Sequence, residues 1–184
     1  MTTKRIMGII TFVIVVIIVG FIFILYATIK TKSTSLNKYE PFKECIGQTV
    51  TLNKQTVLFK DKIPMNNNSD YPYMLLDSLH PQWRYVDERK NIGDIEQIVT
   101  FPEGTQLKIE KAIQYTNGVS GSSYPMIFGT ITAHGMDYKT GYQWGERDVS
   151  KVFEKIEKCW FFHQSPWQTS ADRNFYALPT ASWW

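Results

Sequence analysis

The 184-residue chain carries a net charge of +3, with 43% hydrophobic and 20% charged residues, enough for one modest domain and too little for two comfortable ones. All 17 acidic residues follow position 39, four of the 20 basic residues (Lys4, Arg5, Lys30, Lys32) flank one apolar run, and from residue 33 onward 16 basic face 17 acidic side chains. This near-neutral remainder excludes the clustered Lys and Arg of a nucleic-acid binder, and an aromatic content of 15% excludes a disordered chain.

After a short head, residues 1–5, the run 6–29 contains 24 uncharged residues, most of them Ile, Val or Phe. As a helix it would be about 36 Å long, enough to cross a hydrocarbon core of about 30 Å with some tilt. The apolar stretch of a cleaved signal peptide is shorter, about 7–15 residues, and ends in a small-x-small site. The exit here, Leu25-Tyr26-Ala27-Thr28-Ile29, has no such site. The expectation is an uncleaved anchor that contacts the lipid bilayer through residues 6–29.

Orientation is contested by charge. Lys4 and Arg5 stand on one side against Lys30, Lys32, Lys38 and Lys43 on the other, which on a positive-inside count favours a cytoplasmic domain. The short head offers little for a cytoplasmic function, however, and large domains translocate with limited regard to such charges. An extracytoplasmic domain, periplasmic in a bacterium, is the preferred reading. A bridge between the two cysteines, Cys45 and Cys159, would agree with an oxidising compartment and add about 4–5 kcal/mol in the chain-entropy model. Two unrelated buried thiols are the alternative.

Residues 30–38 are short and polar and read as a linker. A mainly β domain is expected over 39–163. Alternation in 48–52 and 55–60 around Asn53-Lys54 predicts a tight hairpin, and 61–92 reads as irregular, with 73–76 a short helix or strand. Strands follow at 98–101 and from Leu107 to Ile113, where the parity of the apolar side chains changes between Ile109 and Ala112 and predicts a bulge. A turn-rich loop at 117–123 leads to a strand over 124–133 and a further hairpin across Lys139-Thr140-Gly141. Asp148 or Ser150 can cap a helix whose Val149, Val152, Phe153 and Ile156 recur at helical spacing and would close the core.

Five or six short strands with one or two helices imply a small, partly open barrel or a curled antiparallel sheet. The order of a Gly-Thr turn, a strand, a Ser/Gly loop and a Gly-interrupted strand over 96–145 resembles the small SH3-like barrels of bacterial envelope proteins. The resemblance concerns architecture and implies no functional motif.

The sequence shows no catalytic constellation. His80, His134 and His163 stand in dissimilar contexts, with no His-Glu-x-x-His and no metal-ligand spacing. No cofactor or metal is expected. The segment 118–122 lacks both the Gly-x-Ser-x-Gly elbow and the Gly-Lys-Ser/Thr ending of a phosphate loop. Asn67-Asn68-Ser69 would be a glycosylation acceptor in a eukaryotic secretory pathway.

Aromatic residues crowd the tail, 164–184. Trp167, Tyr176, Trp183 and Trp184 form a candidate binding surface, since rings give large contact areas at low entropic cost. The leading expectation is a non-enzymatic, membrane-anchored domain that binds another protein, such as an envelope partner or a toxin met by an immunity protein. A cell-wall glycan-binding module is the first alternative, and a hydrolase built on His134 and Asp137 the second.

Overall fold

The computed structural model describes residues 3–62 and 68–181. The first element, α1 (Thr3–Ile29), has no buried residue and is long and apolar enough to cross a membrane. Its last turn is closed by the Lys30 amide donating to the Tyr26 carbonyl at 3.0 Å, and the Thr28 hydroxyl donates to the Ile24 carbonyl.

Residues 30–38 are not a free linker, because they contain the first strand, β1 (Lys32–Ser35). The other strands are β2 (Thr49–Thr51), β3 (Thr56–Asp61), β4 (Tyr73–Leu76), β5 (Ile95–Phe101), β6 (Gln106–Thr116), β7 (Ser123–Ala133), β8 (Met136–Gln143), β9 (Glu146–Arg147) and β10 (Trp160–Phe161). Two short helices, α2 (Trp83–Asn91) and α3 (Val149–Phe153), complete the set.

Eight strands form one sheet in the order β1-β6-β7-β8-β4-β3-β5, with β2 also on β6. The pairings are antiparallel except β4 with β8, where Tyr73 faces Thr140 and Met74 faces Gly141 in parallel. The architecture is therefore a mixed sheet rather than a wholly antiparallel one. It stays open as well: among the described residues the end strands β1 and β5 do not pair, so no barrel closes.

The tight hairpin expected over 48–60 is absent. β2 lies on β6 and β3 lies between β4 and β5. The chain parts at Leu52, whose amide donates to the Thr105 carbonyl, and at Asn53, whose amide donates to Pro166. Lys139-Thr140-Gly141 is likewise no turn. β8 runs straight through it, and the β7–β8 turn falls at His134-Gly135, both with positive φ. Gly141 inside the strand leaves room for its neighbours, since an added Cβ would meet the Met126 methyl at 2.9 Å and the Phe128 ring at 3.1 Å and both would have to shift.

The bulge does occur. Ile109 faces Gly129 and Lys111 faces Phe128, which leaves Glu110 as the extra residue and returns Ala112 to the buried side. The main core gathers Leu36, Phe42, Leu58, Leu75, Phe101, Ile109, Ile127, Ile131, Trp144, Trp160 and Phe162. A smaller core of Phe59, Leu76, Val86 and Ile95 seats α2. The tail crosses the domain without regular structure, apart from a bridge between Trp160 and Tyr176.

Candidate interaction surface

α3 begins where Asp148 caps it, its carboxylate accepting from the Lys151 amide at 3.2 Å. This single turn presents its apolar side chains the opposite way from the expectation. Val149 is 65% exposed and Phe153 81%, Val152 and Ile156 are exposed too, and α3 buries nothing. The helix does not close the core, in which Trp160 and Phe162 are buried instead. Phe42 and Tyr176 pack edge-on against Phe162, and Trp144 packs on it at a tilt.

The apolar surface continues past α3. Lys151 Nζ lies 4.3 Å from the centre of the Phe175 ring, and Phe175 meets Phe161 at 6.3 Å, both rings being exposed. A groove of about 410 Å³ beside α3 is lined by Val152, Ile156, Ala177 and Leu178 together with the charged Arg147, Lys155 and Glu157. Lone exposed apolar residues are ordinary, whereas contiguous patches mark contact sites.

Two of the four candidate aromatics reach a second groove. Trp167 and Tyr176 are half-buried and line a trough of about 710 Å³ together with Gln168, Asp172 and Asn174. The Tyr176 hydroxyl donates to Asp172 at 2.5 Å. Trp183 and Trp184 lie outside the described residues, as does Asn67. The candidate disulfide is not formed: Cys45 and Cys159 are both free thiols, one at each groove. Burial pushes the Cys45 thiol up to about 11, and its Sγ lies 3.1 Å from the Phe42 carbonyl.

Beneath Trp167 lies a polar network that sequence reasoning missed. Its ring packs on Tyr142 at 5.2 Å and on Trp144 at 5.6 Å. The Tyr142 hydroxyl sits 3.0 Å from His163 Nε2 and 3.3 Å from Asp77 Oδ2. Asp77, only 1% exposed, also accepts from the Leu79 amide and faces Lys54 Nζ at 3.9 Å.

His80 is fixed as a neutral tautomer. Its Nδ1 accepts from the Gln82 amide, so Nε2–H donates to the Gln143 carbonyl at 2.8 Å. Burial lowers its pKa. Burial, reinforced by His80 and Lys54, takes His163 down to about 3, and burial with the Asp77 charge raises the Tyr142 hydroxyl. The network ties the end of β4, the end of β8 and the start of the tail together, with its single buried carboxylate answered by Lys54. No local pattern reveals it, because Asp77, Tyr142 and His163 are far apart in sequence.

His134 lies in the exposed β7–β8 turn and Asp137 near the start of β8, where the Thr132 hydroxyl across the ladder donates to it at 2.6 Å. Among the described residues no group of three His, Cys, Asp or Glu side chains could hold a metal ion. No protein family, no curated protein and no solved structure matches this chain.

Proposed function

We propose that the chain is a single-pass membrane protein whose domain lies outside the cytoplasm and binds another protein, an envelope partner or one met in an immunity-type role. The observation that carries this reading is the outward apolar face of α3. Among the described residues nothing buries the apolar side chains of this turn, which leaves them open to a second surface, and the adjoining Phe161–Phe175 pair and 410 Å³ groove extend the contact area. The length and apolarity of α1 support the anchor. The test is purification of the full chain from its own membranes beside Val149→Asp and Phe153→Asp variants. A partner held at fixed ratio by the parent and lost by both variants supports the reading, and equal recovery by all three refutes it. Protease added to cells whose outer envelope has been opened while the inner membrane stays sealed should digest the domain, and full protection would reverse the orientation.

The trough at Trp167 and Tyr176 favours a second reading, binding of a wall glycan. Aromatic rings stack on sugar faces while Gln168, Asp172 and Asn174 offer hydrogen bonds to hydroxyls. Retention on purified wall material that Trp167→Ala abolishes would favour this role over the first.

A further inference from the structure

We infer that the β6–β7 hairpin is a membrane-contacting element, with Val119 at its tip entering the headgroup layer beside α1, so that the sheet stands on the bilayer instead of swinging from it. The inference rests on the reading of α1 as a membrane span.

There is no spacer between helix and sheet. α1 ends at Ile29, β1 starts at Lys32, and Lys32 is already paired with Thr116, the last residue of β6. The loop after β6 then lies against the final helical turn. A Cβ added at Gly118 would stand 2.2 Å from the Thr28 carbonyl oxygen and 2.6 Å from that of Lys30, so only glycine permits this approach. The next residue, Val119, is 72% exposed at the level of the helix exit.

The tip is chemically suited to that place. Residues 117–122 carry no charge. Asn117 Oδ1 accepts from the Val119 and Ser120 amides, each at 2.9 Å, the Gly121 amide donates to the Asn117 carbonyl, and the Asn117 amide donates to Ser122. Backbone donors already bonded within the loop lose little on leaving water. Tyr26, with Lys30 Nζ 5.2 Å from its ring centre, marks the interfacial level where aromatic and lysine side chains accumulate.

The test places an environment-sensitive fluorescent amino acid at position 119, 16 or 136 of the full chain in phosphatidylcholine nanodiscs containing nitroxide lipid labelled at the headgroup for positions 119 and 136, and deep in the acyl chain for position 16, which lies mid-span. Val119 is exposed, so the substitution leaves the fold intact, and Met136 begins β8, opposite Ala133 at the far end of β7. The inference expects the probe at 119 to be quenched several-fold more than the probe at 136. Equal, weak quenching at 119 and 136 with strong quenching at 16 overturns it while the span stands. No quenching at 16 removes the span and the inference together.

Discussion

The hydroxyl of Tyr142 lies 3.0 Å from Nε2 of His163, and the two rings, with His80, form a buried contact between β8 and the tail. The contact makes stability depend on pH. Unfolded, His163 titrates near 6.5. Folded, it does so near 3. Between these values the unfolded chain holds more protons, so the stabilisation is complete above pH 6.5 and is lost as pH falls towards 3. His80, also lowered by burial, acts in the same direction. Urea melts at pH 7.5 and pH 5 should differ by about 1–2 kcal/mol for His163, and His163→Asn should reduce the difference.

Gly129 lies in β7 opposite Ile109, just before the bulge. An added Cβ there would be 2.3 Å from the Lys108 carbonyl oxygen, a backbone atom that cannot swing aside. Gly129→Ala should destabilise the domain by about 1–3 kcal/mol, the usual cost of overpacking, measurable as a lower denaturation midpoint with an unchanged slope.

Two phenylalanines separate packing from recognition. Phe162→Ala removes a ring held among Phe42, Trp144 and Tyr176 and should cost about 3–5 kcal/mol. Phe153→Asp, on the exposed face of α3, should shift stability by no more than about 0.5 kcal/mol. Thermal melts of both variants check the contrast.

With Cys45 and Cys159 both free, reduction should leave electrophoretic mobility unchanged, and two thiols should titrate in denaturant. In the folded protein Cys45 should react slowly with iodoacetamide at pH 8, because burial holds its thiol near 11.

Long-range pairing marks where the sequence stops being readable. The strands through Leu107, Ile109, Ile127 and Ile131 were legible, as was the bulge, since alternation and its interruption are local. Lys32–Ser35 was not, because a polar edge strand has no apolar face to betray it and takes its order from Gln114 and Thr116 across the ladder. The parallel contact of β4 with β8 joins segments more than sixty residues apart. α2 was hidden by its polarity, Val86 being its one buried residue. α3 misled for a different reason. Its periodicity is genuine, but periodicity shows that an apolar face exists and not which body covers it. Of the site, the sequence points to Trp167 and Tyr176 only as rings in an irregular tail, which the structure leaves half-buried, whereas the network of Asp77, Tyr142 and His163 required the fold.

Whether a protein covers α3 is tested most directly by a photo-crosslinking amino acid at position 153 of the full chain in its native cells, with position 136 on the remote turn as comparison. The account predicts a discrete protein adduct from 153, none from 136, and loss of the adduct when Val149→Asp is added. No adduct from 153, or one that also forms from 136 and survives Val149→Asp, would contradict it.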